Sequence, residues 1–140
     1  MASLSLGSAM IKPVVLEASG WRLEVVRRLD TANFSIVDSA SGIVYSRDVR
    51  FDQADSDRLN DWIVQLDESN YPGACDVTFV TLDLGIELTF SDVDDEAVTA
   101  TIFLLINHDD ATCSRSYRGV RCRVLRSKLI EFSDRLLQVF

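Results

Sequence analysis

Strand-like alternation fills two blocks of this chain, residues 13–47 and 76–125, and each block is followed by one stretch of helical periodicity. That order is the tightest constraint on the fold. A parallel sheet needs a crossover, usually a helix, between successive strands, and here the strands follow one another directly. The expectation is an α+β fold in a single domain, a mostly antiparallel sheet of about seven to eight strands packed by two helices.

In the first block Pro13–Ala18 and Trp21–Arg28 flank Gly20, and Trp21, Leu23 and Val25 alternate with Arg22 and Glu24. Phe34–Asp38 and Ile43–Arg47 repeat the pattern across Ser39-Ala40-Ser41-Gly42, residues that suit a hairpin turn. A helix over Asp55–Glu68 follows. Asp52, Asp55 and Asp57 supply caps and first-turn acids, and Leu59, Trp62, Ile63 and Leu66 recur at helical spacing, so Trp62 reads as core. Asn70-Tyr71-Pro72-Gly73 ends the helix with turn chemistry.

Asp76–Asp83, Gly85–Ser91, Ala97–Asn107 and Gly119–Leu125 are the strands of the second block. Ala97–Asn107 is apolar on one face and half apolar on the other, which marks a central strand. His108–Tyr117 reads as a polar loop. Ser127 caps a last helix with an apolar stripe of Leu129, Phe132, Leu136, Leu137 and Phe140. Residues 1–9 are Ser-rich and read as a leader or loose tail ahead of one domain over residues 10–140. No internal repeat is visible.

Hydrophobic residues at 47% and charged residues at 26% are those of an ordinary globular protein. The net charge of −8 disfavours direct binding to nucleic acid or an anionic membrane, because neutralising phosphate needs a basic surface. The apolar run Ala100–Ile106 is too short to span a bilayer. Cys75, Cys113 and Cys122 lack metal-like spacing, and a reduced, cytoplasmic protein is the simplest reading.

The charges are segregated. Between Asp48 and Asp110 the only cations are Arg50 and Arg58, whereas from Cys113 onward seven cations face only Glu131 and Asp134. Such a field selects and steers a partner without specifying a reaction. Several acids have local explanations as helix caps or loop tips. Asp57, Asp61, Asp94, Asp95, Asp109 and Asp110 remain as candidate partner-binding residues. Arg115, Arg118, Arg121, Arg123 and Arg126 read first as cross-strand partners of Glu87 or of the acidic helix, and second as a phosphate-binding stripe.

Signals for chemistry are sparse. His108 is the single histidine, so a metal or nucleophile site would need partners that the sequence does not place beside it, and a solvated loop histidine is the simpler reading. Asp92-Val93-Asp94-Asp95-Glu96 is rich in oxygen ligands but lacks the glycine and glutamate spacing of a calcium loop. No metal, cofactor or catalytic residue is assigned.

The strand Leu84–Phe90, the acidic turn before Ala97-Val98-Thr99-Ala100-Thr101-Ile102, the strand ending in Val124 and the closing helix with Leu129, Phe132, Leu136 and Leu137 resemble bacterial immunity proteins of the WapI type and their relatives. The likeness covers about half the chain, with Phe79 where that pattern carries a tryptophan. It implies a non-catalytic cytoplasmic protein that neutralises a toxin encoded beside it. The leading expectation is thus a stoichiometric immunity or antitoxin-like inhibitor docking an acidic surface on a basic toxin or nuclease. Its rivals are a nucleic-acid-mimicking phage-type inhibitor, a structural or assembly subunit including a homodimer, and a small pocket-bearing enzyme using His108.

Overall fold

The computed structural model describes residues 12–68, 76–109 and 111–138. The strands are β1 (Val14–Ala18), β2 (Trp21–Arg27), β3 (Thr31–Asp38), β4 (Val44–Arg50), β5 (Val77–Val80), β6 (Ile86–Ser91), β7 (Ala97–Asp109) and β8 (Ser114–Leu125). Helix α1 (Gln53–Glu68) follows β4, and α2 (Arg126–Gln138) follows β8. The expected α+β class holds, but the strands form two sheets rather than one. Each is a four-stranded antiparallel meander, β1-β2-β3-β4 and β5-β6-β7-β8. Four strands and a helix therefore occur twice in succession, a repeat of topology that residue identities conceal.

Period-two alternation explains the sheets. Leu16, Leu23, Val25, Phe34 and Ile36 turn inward from the first, and Ile86, Leu88, Phe90, Val98, Ala100, Ile102 and Leu104 from the second. Each helix then packs at the free edge of the sheet it does not follow. On α1, Trp62 Nε1 donates to the Val77 carbonyl at 3.0 Å and Arg58 donates to the Val80 carbonyl, so α1 runs along β5. Helix α2 lies beside β1 and also touches α1. Leu59, Trp62 and Leu66 from α1 join Leu129, Phe132 and Leu136 from α2 in one continuous core, which bears out Trp62 as a core residue.

Three local expectations are corrected. Helix α1 begins at Gln53, because Asp52 is its N-cap: Asp52 Oδ1 accepts the Asp55 amide at 3.2 Å, while Asp55 Oδ2 accepts the Asp52 amide at 3.2 Å. Helix α2 begins at Arg126, one residue before the expected cap. The expected loop at residues 108–117 is strand at both of its ends. β7 runs to Asp109 and β8 starts at Ser114, with His108 opposite Arg115 and Asn107 opposite Ser116. A backbone ladder needs no apolar side chains, so a polar ribbon is invisible to a search for alternation. Phe140, residues 1–9 and the turn at residues 70–73 lie outside the described residues.

The sheets meet at Gly85 and Val49. A Cβ on residue 85 would fall 2.3 Å from Val49 Cγ1, and the Gly85 carbonyl accepts the Leu105 amide at 2.9 Å. Gly85→Ala is expected to destabilise the fold by about 1–3 kcal/mol through overpacking. The same change made in a Val49→Ala background is expected to cost less, and denaturant unfolding of the four-member cycle measures the coupling. Equal costs in both backgrounds would show that the sheets do not meet there.

Candidate functional site

Strand β2 ends on an inward position that carries a charge. Trp21, Leu23, Val25 and Arg27 all point inward, and Arg27 is only 9% exposed. Its guanidinium lies 4.7 Å over the Phe51 ring, donates to Ser56 Oγ of α1 at 2.8 Å, and donates to the Leu136 carbonyl in the last turn of α2. Desolvation by burial lowers its pKa below the ordinary arginine value. The residue escaped sequence reading, although the signal was present: the Trp21-Leu23-Val25 alternation runs on into a charge.

Above Arg27 opens a pocket of about 410 Å³, between the β2–β3 turn, the first half of α1 and the end of α2. The turn contributes Leu29 and Asp30, held by the Arg28 amide donating to the Thr31 carbonyl at 2.8 Å. Helix α1 contributes Gln53, Ser56, Asp57 and Asn60, which share one face at i, i+3, i+4 and i+7. Asp57 is exposed and accepts from Gln53 Nε2 at 2.9 Å. Asp61, one turn further, is also exposed. A buried cation thus lies under a mouth edged by two carboxylates, with Leu29 standing 72% exposed beside them.

The other expected partner-binding residues lie elsewhere. Asp94 organises the β6–β7 turn: Oδ1 accepts the Ala97 amide at 2.7 Å and the Glu96 amide at 2.9 Å, and Oδ2 meets Arg123 Nη2 at 2.7 Å. Asp95 is exposed on the same turn. Asp109 is at the far end of β7, where Oδ1 accepts the Ala111 amide at 3.0 Å. The 13 residues of β7 separate these two turns by about 40 Å at roughly 3.3 Å per residue. Asp110 lies outside the described residues. The expected acids therefore do not form one surface, and only Asp57 edges a pocket, with Asp61 a turn away.

The arginine-rich segment is engaged within the fold. Arg123 bonds Asp94, the Asp92 carbonyl and Thr99 Oγ1, and Arg121 Nε donates to Thr101 Oγ1 at 3.0 Å. Arg126 caps the end of α1 through the Leu66 and Asp67 carbonyls, at 2.7 and 2.8 Å, and Arg118 lies 4.9 Å over the Tyr45 ring. Glu87 is not among these partners. His108 is exposed on the β7–β8 ribbon and does not line the pocket above Arg27.

The Asp94 carboxyl is held below the usual carboxylate range by the Ala97 and Glu96 amides and then by Arg123. A depressed folded pKa contributes stability above the unfolded value, near 3.9, and that contribution is lost as pH falls through the folded value. Asp94→Asn, which keeps an acceptor and removes the charge, is expected to lower the melting temperature at neutral pH. Its gap to wild type is expected to close as both are acidified below about pH 4, as thermal melts across pH would record. A gap independent of pH would rule out the charge as the cause. Known proteins supply no assignment for any of these residues: no family model, no curated protein and no solved structure matches the chain.

Proposed function

We propose that this protein is a non-catalytic, stoichiometric binding protein of the immunity or antitoxin class, and that its partner is a basic protein, a toxin such as a nuclease. The observation that carries the reading is the pocket mouth edged by Asp30 and Asp57, with Asp61 one turn along α1. These carboxylates stand at the surface, where a partner's lysine or arginine can reach them. The stem of such a side chain would lie on Leu29 and Leu137 while its charge stops between the acids, because the Arg27 guanidinium at the floor repels a cation driven deeper.

Energy and rate divide in the usual way. Rim carboxylates raise the association rate and select for sign, whereas a side chain desolvated in the pocket would supply most of the affinity. The resemblance to WapI-type immunity proteins implies the same class of partner, encoded beside this chain and met in the cytoplasm. No helix among the described residues is long and apolar enough to cross a membrane.

Co-expression with the product of the neighbouring toxin gene is expected to restore growth, and the two purified proteins to form a one-to-one complex. The triple variant Asp30→Asn, Asp57→Asn, Asp61→Asn is expected to slow association about tenfold at low salt, with a smaller effect at physiological salt. Stopped-flow kinetics separates the outcomes. An association rate that ignores both the substitutions and the salt would sink the acidic-mouth reading. Turnover of a small substrate lost in an Arg27 variant would replace it with a ligand-processing role for the pocket.

A further inference from the structure

The four sheet edges are treated unequally. Helix α2 lies beside β1, the outward Arg50 amide of β4 donates to Asp83 Oδ2 at 2.7 Å, and the Val80 carbonyl of β5 accepts from Arg58 on α1. Strand β8 differs: it approaches β1, yet residues 114–119 and 121 are exposed. The Leu105 amide donates to the Gly85 carbonyl at 2.9 Å, so odd-numbered residues of β7 bond to β6 and the even-numbered ones to β8. Arg118, Val120, Cys122 and Val124 of β8 stand opposite Leu104, Ile102, Ala100 and Val98 and complete that ladder. Tyr117, Gly119 and Arg121 consequently point their N–H and C=O groups away from the sheet. Among the described residues no hydrogen bond reaches these outward groups.

Side chains along this edge share one sign, for β8 carries no acid. Asp94 answers Arg123 at one end, and Asp109 stands opposite Ser114 at the other. Between them Arg118 lies over the Tyr45 ring and Arg121 donates to Thr101 Oγ1, neutral partners that hold each guanidinium without cancelling its charge. Arg115, Arg118 and Arg121 meet no carboxylate among the described residues. Arg118 and Arg121, three apart on a strand, flank the edge from opposite faces. On the Arg121 face Gly119 leaves a gap that the exposed Phe103 ring fills: a Cβ on residue 119 would fall 2.2 Å from Phe103 Cδ1. Tyr117 meets that ring edge-on, with centroids 6.4 Å apart.

We propose that the β8 edge binds an acidic, extended segment of a partner protein by antiparallel strand addition. Its outward groups alternate donors with acceptors, which a second peptide backbone matches and a phosphate backbone, offering acceptors alone, does not. The sign follows from the arginines that no carboxylate answers. A second copy would bring three more arginines to the same line and be repelled, so the charge that guards this edge against its own kind admits the opposite kind. Antiparallel pairing is the mode of every strand pair in the fold. In that direction the added strand sets an acid opposite Arg121, an apolar residue opposite Gly119 against Phe103 and Tyr117, and an acid opposite Arg118. The fitted pattern is acid, any residue, apolar, acid. This surface is separate from the acidic mouth at α1 and selects the opposite charge.

The probes are two short capped peptides, one with the core glutamate-threonine-valine-glutamate and one with lysine in place of both glutamates. The acidic peptide is expected to bind the full chain at least tenfold more tightly than the basic one, and to protect the Tyr117, Gly119 and Arg121 amides from hydrogen exchange, read residue by residue by NMR. The double variant Arg118→Glu, Arg121→Glu is expected to transfer the preference to the basic peptide. Should that variant melt well below wild type, the wild-type preference and the amide protection still decide. Neither reading involves a toxin, so failure here leaves the acidic mouth standing. The proposal is overturned if neither peptide binds, if both bind alike, if the three amides stay unprotected in the complex, or if a stable double variant keeps the wild-type preference. Protection of those amides that rises with protein concentration in the absence of peptide would overturn it in favour of a second copy.

Discussion

The guanidinium of Arg27 joins elements that the chain order keeps far apart. It leaves the end of β2, reaches Ser56 in the first turns of α1, and ends on the Leu136 carbonyl at the C-terminus of α2. A buried charge costs several kcal/mol unless its hydrogen bonds are replaced. Here the replacements are a hydroxyl, a carbonyl at the negative end of a helix dipole, and the face of Phe51. Both helices must be docked before those partners exist. The placement of α1 and α2 over the core is therefore coupled through one side chain, and the pocket above it is a consequence of that coupling.

Repetition of four strands and a helix gives the coupling its setting. Each meander buries one face and leaves two edges, and an exposed edge invites unwanted pairing. The helix from one half covers an edge of the other, so neither half is complete alone. Arg126 makes the exchange reciprocal: it starts α2 and caps the carbonyls at the end of α1, as Arg27 on β2 caps α2. Edge β8 carries Arg115, Arg118, Arg121 and Arg123, and charge on an edge strand is a recognised guard against aggregation. The basic segment is thereby explained by the fold.

Much of this was legible in the sequence. Hydrophobic alternation located the eight strands within a few residues, and Leu59, Trp62, Ile63 and Leu66 marked the helix face that is buried. What alternation could not reveal was partnership. Two meanders and one long meander have the same pattern, because the break between sheets depends on which edges α1 and α2 occupy. The ribbon at residues 107–109 and 114–118 was hidden because its strands are polar on both faces. Asp55 shows the same gap at the level of one residue. As a first-turn acid it looked like a surface cap, yet it is fully buried, pairing with Arg58 at 2.6 Å and accepting the Leu82 amide at 2.9 Å. Its sequence neighbours reveal the cap, and only the return of the chain at Leu82 reveals the burial.

The same distinction sorts the acids. A carboxylate that accepts backbone amides and meets an arginine, as Asp94 does, is employed by its own turn, and drawing it to a partner would cost the contacts that depress its pKa. Asp109 accepts an amide of its own turn in the same manner. Asp30, Asp57 and Asp61 are different in kind. The β2–β3 turn closes through main-chain bonds and α1 is capped by Asp52, so neither needs these three carboxylates, of which Asp57 accepts only the exposed Gln53 side-chain amide among the described residues. Segregated charge in the sequence thus resolves into Arg118, Arg121, Arg123 and Arg126 engaged by the fold and a small group of exposed acids. A surplus that stability does not require, gathered beside a pocket, is what selection by a partner would leave behind.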